Sequence, residues 1–366
     1  MLTAPDTELN EVLSHYDLGQ LAAHERDRRG TVNTSYFIDM LHGGRLRKYF
    51  LRRYKLGIRR EEILFEHALI GHIFRQQACP VARVHPTRAG ETFIHRPDLE
   101  AGGQGAFYAV FDYLPGEDRY TWVGPRCTPR ETRNAGALLA RFHRAVSTLT
   151  PPGKRVEPKI VELLDVIDGA WVEGRAKSKG TVFDADLAEH FELIRGCIAE
   201  TRAALQEPAA RAMPEVIIHS DFHPGNLKFE GEAISGLVDF DWAKVDLRAF
   251  DLGLALWYFC VSWEPRLDGR LRLGDAQTFL AAYQRELHRQ RELPPLSEAE
   301  LGYLPHLVNA GNIYVIYWTI RDYFGKEVDA QEYRVYLNHH GAFARWFNRP
   351  INRANLAAML AGLPRS

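Results

Sequence analysis

Apolar positions form short runs in the first third of the chain and helical stripes over most of the remainder. Thr31 to Ile38 and Leu46 to Tyr54, separated by Gly43-Gly44, are rich in aromatic and β-favouring residues and predict a hairpin. Phe107 to Leu114 predicts a further strand, stopped by Pro115-Gly116. Between them Glu61 to Phe74 predicts a helix, with Ile63, Ile70, Ile73 and Phe74 on one face at the 3.6-residue period. Glu66 falls inside that stripe, and a carboxylate on a buried face is costly unless paired. Thr128-Pro-Arg-Glu131 opens the next helix, with threonine at the cap, proline at its first position and glutamate at its third. Its stripe of Leu138, Leu139, Phe142 and Val146 reads as core, and His143 on the margin as a packed or hydrogen-bonded histidine. Further helices are predicted over Ala185–Leu205, Thr278–Glu286, Glu298–Phe324 and Glu332–Phe347. Val156 to Thr181 reads as an inserted segment with a loop at Arg175 to Gly180.

One stretch interrupts the helical part. Val216-Ile217-Ile218 predicts a short buried strand. Asn226 to Phe229 and Ala233 to Asp239 then predict a hairpin around Glu230-Gly231-Glu232. In a hairpin the start of the first strand lies beside the end of the second. Asn226 and Asp239 are therefore expected at its open end, with Asp221 on the loop just before it. That loop is His219-Ser-Asp-Phe-His-Pro-Gly-Asn226, and Asp239-Phe-Asp241 follows the hairpin.

An aspartate, an asparagine and a later aspartate are the minimum set for moving a phosphoryl group from ATP. One carboxylate orients a hydroxyl nucleophile, while the amide oxygen and the second carboxylate hold Mg²⁺. His219-x-Asp221-x-His223 would alternatively suit a transition metal, but no second histidine-rich motif of complementary spacing appears nearby. A plain polar turn leaves the adjoining hairpin and Asp239 unexplained.

His219 to Asn226 and Leu237 to Asp241 resemble the catalytic and metal-binding loops of the aminoglycoside phosphotransferase and choline kinase superfamily. The resemblance implies an α+β, bilobal protein-kinase-like fold, with a small β-rich ATP-binding lobe (residues 1–114) and a larger, mainly helical lobe (115–366). It implies Asp221 as catalytic base, Asn226 and Asp239 as Mg²⁺ ligands, and His219 as a structural member of the loop. Asp251, in Ala249-Phe-Asp-Leu-Gly253, resembles the family aspartate that caps the following helix and braces the catalytic loop. Ser220 stands where the family usually has glycine, and Asp241 where protein kinases have one.

The upstream half fits the same resemblance. The turn before Asn33, following Gly30, resembles the nucleotide-covering loop. Kinases pair a helix glutamate with a strand cation at the α and β phosphates, which makes Glu66 one member of the expected pair and Arg52 or Arg53 the other; the two arginines point to opposite strand faces, and Arg52 is the one that matches the family's strand position. Phe107 to Glu117 resembles the hinge between lobes, where backbone groups near Asp112 to Leu114 would bind adenine. Leu296 to Pro305 and the helix after it resemble the C-terminal region of type II homoserine kinases.

At 366 residues the chain is long enough for two lobes with substantial cores. A net charge of -1 argues against nucleic acid as the main partner. Cys79, Cys127, Cys197 and Cys260 lie too far apart in sequence for a metal or redox pair, which suits a reducing compartment. The first residues carry no signal-peptide pattern, and the longest apolar stretch, Leu252 to Val261, is too short to cross a bilayer. A cytoplasmic enzyme without membrane or nucleic-acid partners is expected.

The acceptor is expected between the catalytic loop and the C-terminal helices. Asp241, Trp242, Trp257, Tyr258, Trp318, Arg321 and Asp322 are the candidates, although each aromatic residue is equally explained as helical core. Acidic and aromatic groups suit an ammonium-bearing alcohol, and an arginine suits an amino-acid carboxylate. Homoserine or another small amino alcohol leads. Choline, ethanolamine, an aminoglycoside or a sugar are alternatives, as are a protein-serine/threonine kinase and a non-catalytic nucleotide-binding pseudokinase.

Overall fold

The computed structural model describes residues 4–28, 32–97, 105–264, 268–289 and 292–363. They fall into two compact units. The first comprises Met1–Gly116 with Thr150–Arg155 and Ser235–Val238. The second comprises Glu117–Leu149, Val156–Ile234 and Asp239–Ser366.

The first unit begins with helix α1 (Ala4–Leu13) and strands β1 (Gln20–Asp27), β2 (Thr34–His42) and β3 (Arg45–Arg53). Helix α2 (Arg60–Gln76), β4 (Ile94–Pro97) and β5 (Gly105–Asp112) follow. The strands form one antiparallel sheet in the order β1-β2-β3-β5-β4. The predicted hairpin is β2–β3, turning at Gly43 (φ 55°) and Gly44 (φ 76°), a left-handed pair that matches the twist of two-residue hairpin turns. Gly30 and Thr31 lie outside the described residues.

Strand alternation sorts the faces. Ile38, Met40, Tyr49, Leu51, Tyr108 and Val110 pack with Leu9, Val12, Leu13 and Tyr16 into one core. Arg52 therefore points to the other face. On α2, Ile63, Glu66, Ile70 and Ile73 are buried, but Phe74 is 41 % exposed. Its expected place in the stripe is corrected: one residue beyond Ile73 it has turned about 100° round the helix, where the Arg83 guanidinium lies 6.0 Å from its ring centre.

The second unit carries α3 (Pro129–Val146), α4 (Ile160–Ala176), α5 (Val182–Leu205), the short α6 (Pro208–Arg211) and β6 (Glu215–Ile218). The strand β7 (Leu227–Glu230) follows, and after a turn at Gly231 (φ 58°) comes β8 (Ala233–Leu237), whose residues from Ser235 onward are counted with the first unit. Next come β9 (Lys244–Leu247), α7 (Arg248–Cys260), α8 (Leu273–His288), α9 (Glu298–Gly325), α10 (Ala330–Phe347) and α11 (Pro350–Ala361). Most of Val156–Thr181 is thus helix, and the loop shrinks to Lys177–Gly180. Ile160, Leu163, Leu164, Ile167 and Trp171 recur at helical spacing and are all buried, so their burial outweighs the polar residues between them.

Helix α7 is buried along its whole length. It meets α9 at glycines: a Cβ on Gly253 would sit 2.5 Å from the Leu307 carbonyl, and one on Gly311 2.9 Å from the Leu254 Cα. Neither position has room for a side chain, and this close approach fixes where the end of α7 points. Among the described residues, no helix is long and apolar enough to cross a membrane. The four cysteines are free thiols.

Candidate active site

The loop after β6 is held by a side chain from α7. The Asp251 Oδ2 accepts the His219 N–H (2.9 Å) and its Oδ1 accepts the Ser220 N–H (2.9 Å). Both loop residues and Asp251 are fully buried. Asp251 does not cap its helix as expected: the cap position is Leu247, and Asp251 lies in the first turn. There its carboxylate complements the positive end of the helix dipole while serving the loop. His143 of α3 lies on the same carboxylate, Nε2 to Oδ2 at 3.0 Å, with Nδ1 2.9 Å from the Tyr283 hydroxyl. Burial lowers the His143 pKa despite the carboxylate beside it. The neutral ring then donates from Nε2 and accepts from Tyr283, satisfying every partner.

Asp221 follows, one-fifth exposed. Its Oδ2 accepts from Asn226 Nδ2 (3.0 Å) and faces His223 Nε2 at 3.5 Å, while its Oδ1 accepts the Tyr258 hydroxyl at 3.1 Å. Burial alone would raise the Asp221 carboxyl. The His223 and His219 imidazoles and the Tyr258 hydroxyl outweigh it and hold the group below its ordinary value, so it is ionised at neutral pH. The His223 Nδ1 accepts the Gly225 N–H (3.0 Å), which leaves the ring proton on Nε2, facing Asp221.

The sequence gives no direct sign of the bond from Tyr258 to Asp221, since it offers Tyr258 only as an acceptor contact. An indirect signal is present. Tyr258 lies seven residues after Asp251, two helical turns along, and so shares its face of α7. One side chain grips the loop backbone and the other its carboxylate.

Asn226 closes a 3₁₀ turn at Pro224–Asn226, one residue before β7. Its Nδ2 donates to both the Asp221 carbonyl (2.9 Å) and carboxylate. With the nitrogen committed, the amide oxygen is the atom left to face a cation. Asp239 follows β8 with φ 64°, in the left-handed region. Among the described residues, no group of three or more His, Cys, Asp or Glu side chains is spaced to hold a metal. An asparagine amide and one carboxylate lie below that count. As hard oxygen donors they still fit Mg²⁺, which takes its remaining ligands from phosphate and water.

In the first unit, Arg52 Nη1 lies 3.0 Å from Glu66 Oε1, and Glu66 is 1 % exposed. Arg155 (3.6 Å) and the Tyr54 hydroxyl (3.3 Å) reach Oε2. The Asn33 Oδ1 accepts the Lys55 N–H (2.9 Å), tying the start of β2 to the residues after β3. The Asp112 N–H donates to the Arg83 carbonyl (2.9 Å), and its carboxylate faces His85 (2.6 Å) and Arg83 (3.3 Å). A cavity of about 490 Å³ borders Asp112, Tyr113 and Leu114, with Lys48, Phe74 and Arg83 among its other walls.

The profile of the phosphotransferase enzyme family matches residues 24–306 of the chain. The chain belongs to this family. As a member of the phosphotransferase enzyme family it is a small-molecule kinase. It is 28 % identical to a homoserine kinase of Afipia carboxidovorans over 91 % of both chains. To a homoserine kinase of Parvibaculum lavamentivorans it is 25 % identical over 93 % of this chain and 95 % of that one. Its fold is that of the amicoumacin kinase hAmiN, solved with AMP-PNP, Ca²⁺ and Ami (TM-score 0.65, 16 % identity, 94 % of both chains). It is also that of a Plasmodium vivax ethanolamine kinase (TM-score 0.57, 14 % identity, 96 % of this chain and 85 % of that one). The suspected superfamily and the α+β kinase-like fold are thus confirmed.

The acceptor candidates of this phosphotransferase separate into two groups. Trp257 is 1 % exposed and stacks on His340 (5.1 Å, 11°), so it is core, and its expected contact with the acceptor is corrected. Trp242 and Trp318 are half-buried with ring centres 4.5 Å apart, and the Arg321 guanidinium covers Trp318 at 3.7 Å. Arg321 is exposed and lies 3.5 Å from Asp322. Asp241, beside Trp242, is half-buried.

Proposed function

We propose that this kinase transfers the γ-phosphoryl group of ATP to the hydroxyl of a small amino alcohol, with homoserine the leading acceptor. The observation that carries the chemistry is Asp221. It is an ionised carboxylate, partly open to solvent, with each oxygen held by a neutral donor.

Asp221 receives the hydroxyl proton as the acceptor oxygen bonds to the γ-phosphorus and the bond to the bridging oxygen breaks, releasing ADP. Asn226, through its amide oxygen, and Asp239 would hold Mg²⁺, which would supply charge neutralisation at the phosphates. His219 and Asp251 keep the loop in place. In the first unit Arg52, fixed by Glu66, positions the phosphates, and Asn33 shapes the end of the nucleotide-covering turn. The backbone from Asp112 to Leu114 receives adenine through Tyr113 and Leu114, since the Asp112 N–H is already engaged. Trp242, Trp318, Arg321 and Asp241 face the acceptor, the arginine suited to its carboxylate and the aspartate to its ammonium group.

Homoserine is supported by relatives named homoserine kinases at 25 % and 28 % identity across about nine-tenths of the chain. The test is coupled ADP release with homoserine, choline, ethanolamine, aminoglycosides and sugars, in the wild type and in Asp221→Asn. Homoserine should lead, and the variant should lose about 10²–10⁴-fold in turnover with ATP binding intact. Normal turnover by Asp221→Asn would remove the base, and preference for another alcohol would replace the acceptor.

A further inference from the structure

We propose that Tyr258 is a positioning residue for Asp221, its phenol fixing which carboxylate oxygen takes the proton of the acceptor hydroxyl. This rests on the phosphoryl-transfer reading above and deepens it.

A carboxylate offers about four acceptor positions on its two oxygens. At Oδ2, two are faced by donors, Asn226 Nδ2 at 3.0 Å and the proton-bearing Nε2 of His223 at 3.5 Å. At Oδ1, Tyr258 supplies one donor at 3.1 Å. The position left is on Oδ1, beside the phenol, and there the acceptor hydroxyl docks. Without the Tyr258 hydroxyl the carboxylate is held at one oxygen only, and rotation about its Cβ–Cγ bond takes Oδ1 out of line.

The phenol suits that task because it is carried by a buried helix and not by the loop itself. Tyr258 is 6 % exposed and sits in the last turn of α7, whose path is set by the contacts of Gly253 and Gly311. Its ring lies 5.0 Å from His223 on the loop and 5.3 Å from Trp257. Trp257 stacks on His340 of α10, whose Nδ1 bonds to Asn312 of α9 at 2.8 Å. Three helices therefore determine where the hydroxyl points. Burial and the neighbouring Asp221 push the Tyr258 pKa well above its ordinary value, so the group stays a donor. A phenylalanine would fill the same space, and burying a hydroxyl is unfavourable without a partner. The oxygen is explained by Asp221.

The decisive experiment is a double-mutant cycle on the full-length enzyme. Tyr258→Phe should lower kcat by about 10–100-fold, the loss of one hydrogen bond to a charged acceptor. The KM for ATP should stay at its wild-type value, and the melting temperature should fall by no more than about 5 °C. In an Asp221→Asn background the same change should cost less than about twofold, because Tyr258 acts only through that carboxylate. Wild-type kcat in Tyr258→Phe overturns the proposal, as does an equal loss in the two backgrounds. A fully active Asp221→Asn single variant would instead overturn the assignment of the base. If Tyr258→Phe does not fold, site-specific 3-fluorotyrosine at 258 keeps the shape and strengthens the donor. It should shift kcat without moving the melting temperature, and unchanged kcat overturns the proposal.

Discussion

Replacing Glu66 by glutamine removes one charge from a nearly closed site and leaves its shape intact. Glu66 is 1 % exposed and bridges two guanidinium groups, Arg52 at 3.0 Å and Arg155 at 3.6 Å, themselves only 13 % and 5 % exposed. At an effective dielectric constant of about 20, these separations correspond to about 5.5 and 4.6 kcal/mol of attraction. Desolvation of the three ions opposes most of that sum, yet breaking a buried pair from one side still costs about 3–5 kcal/mol. Glutamine keeps an acceptor oxygen for one arginine, so the lower end, about 3 kcal/mol, is expected. The two guanidinium groups then repel across a neutral amide, and Arg52 leaves its place.

Two measurements follow. Urea unfolding should show the loss of about 3 kcal/mol in the transition that includes the first unit. ATP titration of the folded variant should show KM raised at least about tenfold, equivalent to about 1.4 kcal/mol of lost phosphate positioning. A stability change below about 0.5 kcal/mol would refute the buried-pair argument. An unchanged KM for ATP together with the stability loss would leave the pair structural and remove it from nucleotide binding.

Two further predictions concern stability. Glu300 pairs with Arg248 through two hydrogen bonds (2.6 and 2.8 Å), both side chains fully buried, and forms the capping box of α9 with Ser297. Glu300→Ala should cost about 3–5 kcal/mol and lower the melting temperature by roughly 8 °C; an unchanged thermal unfolding curve contradicts it. His67 is lowered to about 3, by burial first and then by Arg52 and Arg155, so it stays neutral in the folded state. The unfolded chain takes up that proton below about pH 6.5. Stability is therefore fully present above pH 6.5 and is lost as pH falls towards 3, with a slope up to about 1.4 kcal/mol per pH unit. Denaturant titrations at pH 7, 6, 5 and 4 should show this slope reduced by about one proton in His67→Gln; identical slopes in the two proteins refute it.

What the sequence revealed follows from where its signals are strong. The β2–β3 hairpin was legible because Gly43-Gly44 sits between two aromatic runs. Glu66 was legible because a charge inside an apolar stripe demands a partner; strand alternation put Arg52 and Arg53 on opposite faces, and only the resemblance favoured Arg52. The loop from His219 to Asn226 carries its chemistry in residue types alone. The misses share a different cause. Helix α1 and β1 are short and largely polar, β9 is four residues long, and α11 trails a chain of stronger helices. Helix α4 was hidden because its buried stripe is interleaved with Glu162, Asp165 and Asp168. Tyr258 stood in the apolar run from Leu252 to Val261, where an aromatic ring reads as core. Its hydroxyl has meaning only across the 37 residues that separate it from Asp221.

The backbone carries information that residue types hint at but do not state. Among the described residues, three without glycine have positive φ: Gln77, Ser220 and Asp239. Gln77 is an ordinary left-handed end of α2. The other two belong to the loop before Asp221 and to the candidate Mg²⁺ ligand. The superfamily's usual glycine at position 220 now has a physical reason, since φ is 65° there. Serine in that region costs roughly 1–2 kcal/mol, and its full burial leaves water no part in relieving it. The compensation is visible at Asp251, whose two oxygens each take one N–H from residues 219 and 220. Asp251 thus satisfies both buried backbone donors of the left-handed turn at Ser220. With φ at 220 held there, the chain turns as it enters Asp221, and the carboxylate arrives where Tyr258 and Asn226 meet it. The departure at residue 220 and the burial of Asp251 are therefore one structural fact, and the reach of Tyr258 depends on it.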